Sequence, residues 1–197
     1  MSMKTGRWDY WQLRLRAMAW LLAGRRESAL ELFSQMLRNW PADAYALASR
    51  SHVLAHLGRS ELAIADADHL VRAHPQRSAA DWFNLAFLLE QAGRLDDAEH
   101  AFRGAVALDP KLDRAWYGLG LVLIRRQRYE EAITALKKNT ELQPMSPYGW
   151  YQLARVHVDR QQPEEAARII RHLKGFEPKV AAQLEREIGV LAAPTKA

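Results

Sequence analysis

Apolar positions recur along the chain at a helical period that is broken at regular intervals. Trp82, Leu85 and Leu89 fall three and four residues apart, on one face of a helix. A Gly-Arg break follows such runs, at Gly58-Arg59 and again at Gly93-Arg94. A second periodic run then begins, as in Ala98, Phe102, Ala105 and Leu108, and a proline ends it. This two-helix unit repeats. Pro41, Pro75, Pro110, Pro144 and Pro178 stand 34, 35, 34 and 34 residues apart. Twelve residues before each comes an alanine: Ala29, Ala63, Ala98, Ala132 and Ala166. Trp82, Trp116 and Trp150 open the same phrase each time, with Leu85-Ala86, Leu119-Gly120 and Leu153-Ala154 three and four residues on. One such hairpin cannot bury its apolar face alone, so the period itself predicts a stack of hairpins.

The pattern predicts five hairpins, at 10–41, 44–75, 79–110, 113–144 and 147–178, within a single domain spanning 10–191. A last helix over 179–191, with Val180, Leu184, Ile188 and Leu191 in one stripe, is expected to cap the open end. Residues 1–9 and 192–197 are expected to be flexible ends. Small residues such as Ala86 and Ala98, or Gly120 and Ala132, let paired helices approach closely. The Trp residues are read as hairpin core. Asp43, Ser78 and the hydroxyl of Ser146 before Pro147 are candidate helix caps, and Pro163-Glu164-Glu165 is a helix start.

Composition agrees. Ala and Leu supply 59 of the 197 residues, while Val, Ile and Thr supply 18. β-branched side chains suit strands and the unbranched ones suit helices, so the balance favours an all-α chain. With no cysteine, disulfides, thiol nucleophiles and cysteine-held metals are excluded. The longest apolar stretch, near Ala17 to Gly24, is too short to span a membrane and fits the repeat register. No membrane insertion is expected, and the location expected is cytoplasmic.

The repeated Trp-x2-Leu-Gly/Ala phrase, with its later Ala, Phe and Pro, resembles the tetratricopeptide repeat (TPR) family over nearly the whole chain. The first unit departs most, with Leu13 and Arg16 at the Trp and Leu positions. The second has Leu47 and Ala67 for Trp and Phe, and units four and five carry Gln127 and Gln161 at the usual inter-helix glycine. The resemblance implies a TPR-type α-solenoid, a right-handed superhelix of antiparallel helix pairs. It also implies a protein-interaction scaffold or adaptor whose first helices line a concave groove. The repeats leave fewer than 20 residues at either end, too few for a catalytic domain, and no enzyme is expected.

By that resemblance the groove carries Trp11, Tyr45, His52, Asn84, Arg114, Tyr117, Tyr148, Gln152 and Arg155, with Arg14, Met18, Ser49, Phe83, Phe87 and Tyr151 on the same face. Glu90 and Asp159 stand at its edge. Aromatic residues with Arg and Asn are what interfaces enrich. The partner expected is a protein or peptide segment, with an acidic or C-terminal segment as one form. For Phe83, Phe87 and Tyr151 the alternative is packing between repeats. The carboxylate-clamp pattern of some TPR domains matches only at Asn84 and Arg114.

Other chemistry is sparse. His52 and His56 have the spacing of a helical metal pair but lack further ligands, so they are read as polar groove residues, with no metal or cofactor. Asp66, Asp68 and His69 are read as a polar helix face. The net charge of +5, with Arg125, Arg126 and Arg128 clustered, leaves a nucleic-acid-binding solenoid as one alternative and a self-associating, homo-oligomeric assembly factor as another.

Overall fold

The computed structural model describes residues 6–192, and every regular element among them is an α-helix. These are α1 (Arg7–Leu22), α2 (Arg26–Asn39), α3 (Ala44–His56), α4 (Ser60–Ala73), α5 (Ala79–Gln91), α6 (Leu95–Leu108), α7 (Asp113–Arg125), α8 (Tyr129–Leu142), α9 (Pro147–Asp159), α10 (Pro163–Lys174) and α11 (Pro178–Ala192). The fold class is an all-α, TPR-type solenoid. The chain divides into two compact units, Met1–Leu108 and Asp109–Ala197. In the first, α1–α2, α3–α4 and α5–α6 pair as hairpins; in the second, α7–α8 and α9–α10 do so, and α11 packs on α9 and α10.

Helix starts follow local chemistry. Asp43 Oδ1 accepts the Ala46 N–H at 2.7 Å, and Ser78 Oγ accepts that of Ala80 at 3.1 Å. Ser146 sits at the start of α9, but its hydroxyl accepts no helix N–H; Pro147, with its preset φ, opens that helix instead. α1 begins at Arg7, inside the stretch expected to be a flexible end, because Asp9 folds back on the Gly6 N–H at 3.0 Å. The expected ends 1–5 and 193–197, and the side chain of Leu191 in the expected apolar stripe, lie outside the described residues.

The turn inside each hairpin needs one residue with positive φ. Gly24, Gly58 and Gly93 supply it at 72°, 73° and 75°. Gln127 and Gln161 occupy the same turn at 59°. The bonding is shared: Arg25 N–H reaches Trp20 O, and Arg128 N–H reaches Leu123 O, which closes the last turn of the first helix. A side chain in this conformation costs about 1–2 kcal/mol. Gln127→Gly and Gln161→Gly are therefore expected to raise stability by about 0.5–1 kcal/mol each, after the extra freedom glycine gives the unfolded chain. Urea unfolding of each variant measures it.

Small residues do set helix spacing. Ala86, Ala98 and Ala132 are fully buried, and a Cβ on Gly120 would stand 2.8 Å from the Leu136 side chain. The three repeated tryptophans are not plain core. Each is half-buried, and its indole Nε1–H donates at 2.9 Å to a proline carbonyl ahead of its helix: Trp82 to Pro75, Trp116 to Pro110 and Trp150 to Pro144. The repeat pairs Trp with Pro because one side chain ties the inter-hairpin loop to the helix after it.

The second hairpin compensates its own departures. Arg50 stands where Leu85 and Leu119 stand in later units, and its guanidinium grips buried Asp66 through Nε and a terminal nitrogen at 2.7 and 2.6 Å. Asp66 is thus a paired interior group, not part of a solvated face.

Candidate peptide-binding faces

In the first unit the expected groove residues form two groups. Near its start, the Arg14 guanidinium lies 3.9 Å from the Tyr45 ring centroid and 5.1 Å from that of Trp11. Each such contact contributes roughly 0.5–1 kcal/mol and fixes the ring it covers. Tyr10, on the same helix, donates its hydroxyl to Asp43 Oδ2 at 3.2 Å, so the residue that caps α3 also ties it to α1.

The second group surrounds a cavity of about 480 Å³ between α3 and α5, floored by Ala67 and Leu70 of α4. Its walls hold Ala48, Ser51, His52, Ala55 and His56 on one side, and Asp81, Phe83, Asn84, Phe87 and Leu88 on the other. Small side chains on α3 make the hollow; aromatic ones on α5 overhang it. Phe83 and Phe87 stack at 6.4 Å, and Phe83 stands edge-on to Phe102 of α6 at 6.0 Å. Phe83 is thus anchored below, while Phe87 and Asn84 are exposed. His52 and His56 bring their Nε2 atoms to 3.1 Å, where one ring can donate to the other. Burial, then the charges of His56 and Arg26, lower the His52 pKa from its ordinary value. No cluster of three or more His, Cys, Asp or Glu fit for a metal exists among the described residues.

Asp81 went unrecognised in the sequence. It occupies the position of Ala46, Ala115 and Gly149 in other hairpins, immediately before the Trp position, and only 7% of it is exposed. Arg77, the extra residue of the one 35-residue spacing, donates to its Oδ1 at 2.5 Å, while Oδ2 has no hydrogen-bond partner among the described residues. A buried unpaired acceptor costs about 1–3 kcal/mol. Asp81→Ala should therefore leave stability unchanged or raise it, against the usual sign for an interior substitution, and calorimetry reads the sign directly.

In the second unit, Tyr148 is exposed, Arg114 and Arg155 are exposed, and Gln152 and Tyr117 are half-buried, with Tyr117 against the core of that unit. Tyr151 is committed internally: its hydroxyl donates to Glu187 of α11 at 2.5 Å, and Arg155 lies over its ring at 5.8 Å. Arg155 and Asp159 also line a 430 Å³ hollow against Leu184, Glu187 and Ile188 of α11. The Tyr151 bond holds the Glu187 carboxyl below the usual carboxylate range and, with burial, pushes the Tyr151 hydroxyl above 10.0. The contact supports α11 above the ordinary carboxylate value, and is lost as pH falls through the lowered Glu187 value or rises through the raised Tyr151 value. Amide protection in α11 should peak between about pH 5 and 9 and fall on either side.

Against known proteins, the tetratricopeptide repeat models match residues 15–78 and 83–147 in one form and 147–172 in another, most of the chain. The chain belongs to the tetratricopeptide repeat family. Among curated proteins, no sequence matches it. The fold is similar to that of MamA from Desulfovibrio magneticus, at 23% identity and a TM-score of 0.75 over 90% of this chain and 96% of that one. It is similar to YrrB, described as a TPR protein with an unusual peptide-binding site, at 17% identity and 0.77 over 86% and 88%. A tetratricopeptide repeat protein from Parabacteroides merdae gives 0.80 at 20% identity over 92% and 73%. At these identities the likeness is one of fold.

Tetratricopeptide repeats are protein-interaction scaffolds, and the chain has the architecture of one. No helix among the described residues is long and apolar enough to cross a membrane. The basic clusters are interleaved with acids: Arg128 pairs with Glu131, Arg160 with Glu130 and Arg168 with Glu165. That pairing reduces the charge these faces could offer a phosphate backbone.

Proposed function

We propose that the protein binds a peptide or protein segment along the first helices of its hairpins, and that the α3–α5 cavity is the principal anchor point. The observation that carries this reading is the cavity itself. It is large enough for an apolar side chain, walled by an aromatic pair already held from beneath, and lined by a few polar groups, Ser51, His52, His56, Asp81 and Asn84. Binding pockets combine a mostly apolar lining with a few placed polar groups in this way. An apolar side chain of the partner enters between Phe83 and Phe87 on one wall and Ala48, Ala55 and His52 on the other. The Asn84 amide, exposed at the rim, can both donate to and accept from the partner backbone, which fixes its direction. Because the wall is preformed, docking orders little of the scaffold, and the affinity gained is not consumed in ordering loops. The likeness to YrrB, a peptide-binding TPR protein by description, agrees with this reading. Tyr45 extends the face along the first unit. Arg114, Tyr148, Gln152 and Arg155 offer the second unit a more basic face, suited to acidic or carboxylate-bearing segments.

Selection from a random peptide display library against the full chain tests the proposal. Enriched peptides should share an apolar anchor, and Phe87→Ala and Asn84→Ala should each weaken their binding about tenfold or more, the scale of a lost interface anchor. Peptides that bind the Phe87→Ala/Asn84→Ala variant as tightly as the parent would refute this placement of the site.

A further inference from the structure

α1 is apolar on two faces. Leu13 and Ala17 are buried, and Trp20 and Leu21 pack with them into the core of the first unit. On the far side, Trp8, Trp11, Leu15, Met18 and Leu22 follow one another at spacings of three, four, three and four, and all are exposed, Trp8 to 73%, Leu15 to 62% and Leu22 to 89%. That alternation is the seam of a helix that pairs with another helix. Its origin is legible in the repeat. Ala46 and Val53 of α3 are buried where α3 packs on α2, while their counterparts on α1, Gln12 and Ala19, are exposed. α1 thus has the helix-packing side of a repeat and no described helix against it.

We infer that this seam pairs α1 with the α1 of a second copy of the chain. Three observations favour a second copy. The stripe is nearly its own reverse: measured from Leu15 its members lie at −7, −4, 0, +3 and +7, so an antiparallel copy presents the same pattern, as an isologous contact requires. No like charges meet across it. Of the flanking residues Arg7, Gln12, Arg14, Ala19 and Leu21, two are charged: an antiparallel copy sets Arg7 near Leu22 and Ala23, at the far end of the stripe from its own Arg7, and the Arg14 guanidinium is turned onto Tyr45. The area also suffices. Two large indoles, two leucines and a methionine expose on the order of 600–700 Å² a side, which puts a pair of copies at the lower end of stable interfaces. The inference is independent of the α3–α5 cavity, whose lining shares no residue with the seam.

Sedimentation of the full chain across concentrations tests this, with Leu15→Glu and Leu22→Glu as seam variants and Leu62→Glu, at an exposed leucine of α4, as control. The parent and the control should dimerise. Each seam variant should dissociate at least tenfold more readily with its helical circular dichroism intact; the two sites guard against one of them failing to fold. Because the chain has no cysteine, Leu15→Cys supplies a single thiol that should join two copies on oxidation, whereas Leu62→Cys should not. A parent that stays monomeric into the millimolar range, which would leave the seam to a different helix, overturns the inference. So does a dimer that both seam variants leave intact.

Discussion

Phe102→Ala is expected to lower the unfolding free energy by about 3–5 kcal/mol, as expected for a buried aromatic truncated to alanine. The ring is 2% exposed on α6, and its loss leaves a void that the surrounding helices fill only in part. The same change reaches the proposed site. Phe83 stands edge-on to Phe102, and Phe83 in turn stacks with Phe87 over the cavity. With Phe102 gone, Phe83 can sink into the vacated space, and the cavity wall retreats with it. Peptide affinity should therefore fall together with stability. Met36→Ala provides the contrast: Met36 is fully buried on α2 and is not part of the cavity lining. It should cost about 2–5 kcal/mol and leave affinity unchanged at temperatures where the variant is folded. Urea unfolding and peptide titration of the two variants, side by side, separate the effects.

Gly149→Ala should cost about 2–4 kcal/mol although it adds one methyl group. A Cβ there would lie 2.1 Å from Asn139 Oδ1 and 3.1 Å from Thr140 Cγ2. Asn139 cannot yield cheaply. It is buried, and its Nδ2 donates to the Asp113 carbonyl at 3.0 Å, so α8 sits between α7 and α9 with this amide as the spacer. Moving the amide breaks its bond to α7 and leaves the buried Nδ2 donor without its acceptor; keeping it forces α9 away from α8. Alanine is accommodated at the equivalent position of α7, Ala115, so the helix geometry does not demand glycine; the asparagine opposite does. The effect should then be non-additive. Asn139→Ala/Gly149→Ala should be more stable than Gly149→Ala alone, since the second change removes the obstruction.

The fold was legible in the sequence because a repeat states its rule several times. Trp82, Trp116 and Trp150 with their alanines and prolines fixed the hairpins, and Gln127 and Gln161 were recognisable as departures at a turn. What those residues do was less legible. A tryptophan in an apolar stripe reads as core, and nothing local shows that its indole N–H ties down a proline carbonyl six or seven residues earlier. The groove positions followed from the resemblance, but their grouping did not. Arg14 of α1 reaches Tyr45 of α3, His52 and Asn84 face one cavity, and Tyr151 turns to Glu187, all through contacts between residues far apart in sequence. Two features had a signal that could have been followed. Asp81 breaks a column of Ala46, Ala115 and Gly149, and Leu15 and Leu22 continue a stripe of which only Trp11 and Met18 were assigned to the groove. Both sit where a unit departs from its siblings, and such departures are where function can be added to a repeat without losing the stack.

The most direct test of the account is amide chemical-shift mapping of the full chain titrated with a library-selected peptide. Occupation of the α3–α5 cavity predicts that the largest changes fall on Ala48 to His56 and Phe83 to Leu88. Changes confined to other residues, with those two segments unmoved at saturation, would contradict it.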